Sequence, residues 1–317
     1  MSQEFLNVNT IKNGIVVPFI YNKEFSTKHA GILDDQFKVV KNSLLFRSYG
    51  QVIGDPIILS VQESSIKHSD SCTIFGGYWE NHFGHFLLET LQRLWILNNI
   101  KYADIPITWI KEKKKPVKSW QIDILNILGI NNEIIFVEER CVKFNEIIIP
   151  DPGYRIRDFF HKKQKEFLAK YSEKKTLQFK KIWLSRSKLN ERKTLNEDIL
   201  ENRLKQEGWK IVHLQNKTIE EQLNILASAN ILAGIEGSAF HLLILLKNPT
   251  KKVLIIRRSK NINYSTIASK IGLDQVDIYE EIISHGKKYD SQLYEIKSVD
   301  KLVEKIEKAI AILGWQK

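Results

Sequence analysis

Between residues 181 and 256 the chain alternates short apolar runs with helical stretches, and nothing else in it limits the fold as tightly. Lys181–Ser185, Lys210–Leu214, Ile231–Gly234 and Lys252–Ile256 read as strands. Thr194-x-x-Glu197 and Thr218-x-x-Glu221 have capping-box spacing, in which a hydroxyl and a carboxylate satisfy amides left open at a helix start. The first helix is expected to stop at Gly208 and the second near Ala229. A third runs from the turn Glu236-Gly237-Ser238 to about Leu246. Short apolar strands alternating with helices belong to a parallel sheet covered on both faces, with right-handed crossovers. The fold class is therefore α/β, with one such domain in 181–285. In the terminal segment 286–317, Val299, Leu302, Val303, Ile306, Ile310 and Leu313 form one stripe of a final helix.

A chain of 317 residues exceeds the size at which one core keeps growing, so a second domain is expected in 1–155. Strand-like runs occur there at Gly14–Phe19, Ile57–Val61, Cys72–Phe75, Ile105–Ile110, Ile134–Val137 and Ile147–Pro150. His85–Asn98 and Ser119–Leu128 read as helices. The first has Leu87, Leu91, Leu94 and Trp95 on one face, and the second stops at Gly129. Residues 156–180 read as a linker. Phe160, Phe167, Leu168 and Tyr171 share a helical stripe there, followed by a polar connector. Cys72 and Cys141 alone can build neither a disulfide framework nor a zinc site. No apolar run reaches the ~18 residues of a membrane span. The first residues lack a basic-then-apolar leader, so a reduced, cytoplasmic setting is expected.

Charge narrows the partner. Residues 1–155 hold 17 basic and 17 acidic residues; the remaining 31 basic and 20 acidic residues lie in 156–317. The whole excess of +11 therefore sits in the second half. That favours an anionic partner there, against a bland alternative of a solvated basic surface. The run Lys111–Lys115, followed by Trp120, has the composition of a peripheral contact with anionic lipid at the inner face of a membrane, although such runs are more often solvated loops.

Three segments carry chemistry. In 76–93 a strand ends at two glycines and a helix starts near His85. The helix dipole is expected to keep His85 neutral, as suits a general base. Glu89, one turn on, is placed to orient the imidazole or to pair with Arg93. Glu80 and His82 lie in the preceding loop within reach of a substrate. In 183–197, Ser185 and Arg186 end a strand, and Arg192 and Lys193 follow, as expected of a phosphate site beyond the carboxyl end of a parallel strand. In 232–249, Gly234, Gly237 and Ser238 form a small-residue turn able to approach a diphosphate, while Glu236 suits sugar hydroxyls better. The chain has no Asp-x-Asp pair, which argues against a carboxylate-held metal at a diphosphate. No metal ligand and no cofactor are expected.

Taken in order, the three segments resemble glycosyltransferase family 61 in its bacterial branch. The resemblance covers about 75–260. It rests on His85, Glu89 and Arg93, then Ser185, Arg186, Arg192, Asn196 and Glu197, then Glu221, Gln222, Ala229, Gly234, Gly237 and Ser238. It implies a GT-B-like architecture, two Rossmann-like domains facing across a cleft, with the final helix packing back across it. It also implies an inverting, metal-independent transferase of capsule or lipopolysaccharide synthesis. The donor would be a nucleotide sugar, most simply a UDP-sugar, and the acceptor a growing polysaccharide or lipid-linked glycan. His85, Glu89 and His82 then become catalytic candidates, with Glu80 and Arg93 on the acceptor side. Ser185, Arg186, Arg192, Lys193, Glu221, Gly234, Glu236, Gly237 and Ser238 become donor-binding candidates. Two positions depart from the family pattern: Glu236 stands where members often carry His, and His82 where they carry Asn, so two histidines compete for the base role. A polysaccharide pyruvyltransferase of the same architecture is an alternative. A basic nucleic-acid-binding protein is another, but its cations would interleave with aromatics rather than gather at strand ends; nucleic acid is not an expected partner.

Overall fold

The structure, a computed structural model, describes residues 5–22, 27–56, 66–172, 179–190, 192–286 and 292–315. The strand expected at Ile57–Val61 lies outside them. The chain divides into two compact units, Met1–Leu168 and Ala169–Lys317.

In the first unit, β1 (Val8–Lys12), β2 (Ile15–Asn22) and β3 (Thr27–Leu33) come first, then a hairpin of β4 (Phe46–Arg47) and β5 (Gly50–Gln51). The long strand β6 (Lys67–Tyr78) is followed by β7 (Ile107–Ile110), β8 (Ile134–Val137) and β9 (Val142–Pro150). One mixed sheet runs β3-β2-β9-β6-β7-β8, with β1 also on β9. Its centre, β9, β6, β7 and β8, is parallel; β1, β2 and β3 are antiparallel. Val16, Ile32, Phe75, Tyr78, Ile110, Val137 and Phe144 form the core on one face. The hairpin β10 (Tyr154–Arg155) and β11 (Phe159–Phe160) and the helix α3 (Lys162–Leu168) close the unit, so the expected linker 156–180 is largely part of it.

The expected helix at His85–Asn98 is not a regular one. A single α-turn, α1 (Phe83–His85), runs into a π-helical turn at Phe86–Thr90, and a 3-10 helix follows at Leu94–Asn98. In the wide turn, Thr90 Oγ1 donates to Tyr78 O and accepts from Glu80 N, both 2.9 Å, which ties it to the end of β6. The apolar face read from the sequence is nonetheless buried, including Leu87, Leu91, Leu94 and Trp95. Helix α2 (Ser119–Ile127) ends as expected, with Gly129 in the left-handed region at φ 70°.

The second unit follows the alternation closely. Its elements are β12 (Phe179–Leu184), α4 (Glu197–Gln206), β13 (Lys210–Val212), α5 (Ile219–Ser228), β14 (Ala229–Ile235), β15 (Lys252–Ile256), α6 (Asn263–Ile271) and β16 (Asp274–Ile278). The five strands are all parallel, in the order β13-β12-β14-β15-β16. The chain thus moves outward from β12 to β13, then back past β12 to β14 and onward. The order reverses between β12 and β14, and ligands of such sheets bind beyond the carboxyl ends at that reversal. Ser238–Leu245 is a 3-10 helix rather than the expected α-helix. A hairpin of β17 (Ile282–His285) and β18 (Leu293–Ile296) leads to α7 (Val299–Ile312). Leu302, Val303, Ile306 and Ile310 of α7 pack with Leu200 and Leu204 of α4 on Trp183, Ile231, Ala233 and Leu254 of the sheet. The final helix, expected to pack back across a cleft, is therefore part of its own unit's core.

Gly76 allows β6 and β7 to pair beneath the site described next, because a Cβ there would lie 2.4 Å from Trp109 Cε2. Gly76→Ala forces the indole or the strand aside, and overpacking of this kind costs about 1–3 kcal/mol. The urea midpoint, followed by tryptophan fluorescence, is expected to fall accordingly. An unchanged midpoint would mean that Trp109 moves aside freely.

Candidate functional site

The candidate residues gather in two clusters, one in each unit. In the first unit, aromatic packing fixes the turn that carries His85. Phe83 and Phe86 each meet Trp120 of α2 edge to face, with ring centroids 5.0 and 5.2 Å apart. Phe86 also packs on Trp79, which touches Trp109 and Phe136. With both aromatics turned inward, the intervening His85 stays one-third exposed. Its Nδ1 lies 2.6 Å from Glu89 Oε2, as the four-residue spacing predicts. Glu89 is only 2% exposed. Burial opposes its ionisation, but hydrogen bonds from His85 and Arg47, together with the charge of Arg47, outweigh that and hold the carboxyl below its ordinary range. Glu80, at the end of the same loop, is pushed the other way, by burial and then by the charge of Glu89. His82 is exposed, and its ring centroid lies 4.9 Å from that of His85.

Arg93 does not pair with Glu89, nor does it stand at the surface as an acceptor-side group would. It is 1% exposed. Its Nη1 donates to Pro150 O and its Nη2 to Asn42 O, the latter at 2.7 Å, and its guanidinium lies over Phe75. Burial lowers its pKa to about 10. The wide turn after His85 carries it off the Glu89 face and into the core. Its place is taken by Arg47 of β4, which the sequence reading missed. Arg47 grips Glu89 with two parallel bonds, Nε to Oε1 at 2.7 Å and Nη2 to Oε2 at 2.9 Å. No local spacing signal links positions 47 and 89. The expected helix-dipole effect on His85 also loses its basis, since α1 is a single turn.

In the second unit, three strand ends meet at the reversal of the sheet. Ser185 and Arg186 follow β12, Glu236 and Gly237 follow β14, and Arg257 and Arg258 follow β15. Gly234 lets β14 approach β12, because a Cβ there would lie 2.9 Å from Leu184 O. Gly237 makes room for Arg186, whose Nη1 would be 2.4 Å from a Cβ at 237. The expectation that Arg186 adjoins the glycine turn therefore holds geometrically. Arg186 Nε, and Nε and Nη1 of Arg258, are buried without a hydrogen-bond partner. Burial, and next the charge of Arg258, lower the pKa of Arg186 to about 10; Arg192 adds to this effect. Arg258 was also missed. It stacks over Tyr294 at 4.5 Å.

The remaining donor-side candidates are engaged within the fold or stand nearer its surface. Glu236 accepts from Arg257 Nε, Arg258 N, Ser259 N and Ser259 Oγ, so its carboxylate organises the loop after β15 rather than standing open to a sugar. Glu221 completes the capping box with Thr218, with Thr218 N to Oε2 at 2.8 Å. Ser185 Oγ donates to Glu201 Oε1 at 2.6 Å. Lys193 is exposed, and its carbonyl accepts from Tyr294 N. Arg192 has φ 52°, and Ser238 is half-buried at the start of the 3-10 helix. The other expected capping box, Thr194–Glu197, does not form. Glu197 turns away from Thr194, accepts from Arg186 N and from Trp183 Nε1, and is fully buried.

The basic run at 111–115 is largely neutralised from within. Lys111 pairs with Glu138, Lys113 with Glu139, and Lys115 with Glu112, which Lys28 also meets. Among the described residues no helix is long and apolar enough to cross a membrane, and no three His, Cys, Asp or Glu side chains are grouped to hold a metal ion. A cavity of about 380 Å³ beside Trp95, Tyr102, Asn98 and Lys163 contains none of the candidate residues.

Comparison with known proteins comes down on the same segments. The family model described as Glycosyltransferase 61 matches residues 83–253, more than half of the chain and all of the second cluster except the loop after β15. A search of curated proteins found no match.

Glu197 gives the second cluster a pH signature. Burial raises its carboxyl from the ordinary 4.5 to about 7, against the opposing bonds from Arg186 N and Trp183. Folding therefore favours the protonated form. The stability this confers is fully present below about 4.5 and is lost as pH rises through about 7. Glu197→Gln is neutral at every pH and keeps an acceptor oxygen. Its melting temperature is expected to exceed the parent's above pH 7 and to converge with it near pH 4.5. Parallel melting curves across that window would refute the burial argument.

Proposed function

The chain belongs to glycosyltransferase family 61 and is a glycosyltransferase, and from that premise we propose how it works. The second unit binds a nucleotide sugar, taken to be a UDP-sugar, and the first unit binds the hydroxyl of a surface-polysaccharide acceptor. Transfer inverts the anomeric carbon and needs no essential metal ion. A GT-B-type enzyme is the matching architecture, supported by the all-parallel sheet of the second unit and the parallel centre of the mixed sheet in the first.

One observation carries the donor half of this reading. Arg186 and Arg258 lie at the reversal point of a parallel sheet, next to a glycine turn, with buried N–H groups that donate to nothing. Burying like charges together is costly unless an anion completes the group. A diphosphate supplies both the charge and the acceptor oxygens, and guanidinium forks match it. In the reaction, the acceptor oxygen attacks the anomeric carbon while His85 Nε2 takes its proton. The bond from that carbon to the β-phosphate oxygen breaks. The charge arriving on the leaving nucleoside diphosphate is met by Arg186 and Arg258. Glu89 orients the imidazole and stabilises the cation it becomes. His85 is preferred over His82 because it is the histidine that Glu89 holds.

A thermal-shift panel of UDP-, GDP-, CDP- and dTDP-sugars, with and without EDTA, identifies the donor. Arg186→Ala is expected to weaken that ligand roughly 10- to 100-fold by calorimetry, the worth of a charged hydrogen bond. His85→Ala is expected to leave its affinity intact and to cut turnover by about 10²–10⁴. Undiminished binding in Arg186→Ala removes the donor assignment, and undiminished turnover in His85→Ala removes the base.

A further inference from the structure

Arg47 precedes His85 by 38 residues, on a two-residue strand outside the matched segment 83–253. Nothing so far gives it a task. Its Nε and Nη2 hold the two oxygens of Glu89, its Nη1 donates to Tyr49 Oη at 2.9 Å, and its Nη2 lies 3.1 Å from His85 Nδ1. A guanidinium only donates, so His85 Nδ1 cannot accept from Arg47 and also donate to Glu89. The 2.6 Å approach to Glu89 Oε2 decides the matter. In a neutral ring the proton then sits on Nδ1 and points at Glu89, and the lone pair is on Nε2.

An ionised, buried carboxylate next to an imidazole also has a harmful effect. By itself it draws a second proton onto the ring, and an imidazolium cannot act as a base. Arg47 cancels that pull by neutralising Glu89, and its charge beside Nδ1 opposes a second positive charge. We propose that Arg47 is a positioning residue that sets the protons of the His85–Glu89 pair: Glu89 ionised, His85 neutral, Nε2 open to the acceptor hydroxyl. The other charged or titratable groups around the ring do not replace it. Glu80 is held toward its neutral form by burial and by Glu89, while any charge on His85, and then Lys28 and Lys115, act on it in the opposite sense. His82 approaches from the loop and can only add positive charge. Tyr49 reaches the group through Arg47.

The catalytic consequence rests on the proposed base role of His85, but the protonation can be read without turnover. Diethyl pyrocarbonate modifies only unprotonated imidazole, and fragmentation of the peptide 68–93 in tandem mass spectrometry reports His85 separately from His68 and His82. Against the parent, Arg47→Gln is expected to move the His85 modification profile up by about one pH unit, slowing the reaction about tenfold on the acid limb of the profile. Arg47→Lys keeps the charge and should stay within about threefold of the parent, a difference under half a pH unit. Glu89→Gln should move the profile the other way. An unmoved profile in a folded Arg47→Gln protein overturns the inference, as does a failure of Lys to restore it. If Arg47→Gln does not fold, Glu89→Gln decides, since an upward or absent shift there is equally fatal. Should the shifts occur while His85→Ala still turns over normally, Arg47 keeps this role and the base assignment falls.

Discussion

The second unit is organised around a carboxylate with no access to water. Glu197 opens α4 yet spends its side chain on β12, accepting from the Trp183 indole and from the amide of Arg186. Those bonds join strand, loop and helix at one point. They also fix where Arg186 leaves the sheet. Because Glu197 is occupied by an amide and an indole, it does not take the Arg186 guanidinium, whose Nε remains unpaired. Had Glu197 capped its own helix through Thr194, this constraint on Arg186 would be missing. The reversal between β12 and β14 makes room at that edge, and Gly237 leaves the space that the guanidinium occupies.

The first unit joins the same residue types in the opposite way. Glu89 takes the Arg47 guanidinium in full, so the cation is used up internally and what remains for chemistry is the imidazole. One cluster leaves cationic donors open and suits the charge of a leaving group. The other cancels its charges and suits the handling of a proton. The proposed transfer uses both, and local pairing accounts for the unit to which each part is assigned.

How much of this was legible follows from the range of each interaction. The parallel sheet was readable, since strands such as Lys252–Ile256 and the Thr218–Glu221 box are written in neighbouring residues. The His85–Glu89 contact was readable from its four-residue spacing. Arg47 was not, because β4 spans two residues and meets Glu89 only through the tertiary fold. Arg258 was hidden for a similar reason: its neighbours Glu236 and Tyr294 lie 22 and 36 positions away, and a basic pair after a strand looks like solvated loop. The Thr194–Glu197 box failed because a buried indole and an amide compete better for that carboxylate than an N-cap hydroxyl does. The helix at His85–Asn98 failed because Thr90 bonds to the end of β6, which periodicity cannot foresee.

Net charge points to the second half of the molecule, and yet most of the excess is not where binding is proposed. Lys193 is exposed, Arg257 is spent on Glu236 and Asp277, and Lys181 on Glu307. An exposed lysine in water gains little from an anion, since solvent screens the pair and the side chain loses its freedom on binding. A guanidinium already stripped of water has paid most of that cost on folding, so an incoming phosphate recovers it. The cations proposed to meet an anionic donor are therefore the two with buried, unpartnered N–H groups, Arg186 and Arg258. Charge selects the half of the chain for the proposal, while burial and missing partners select the residues.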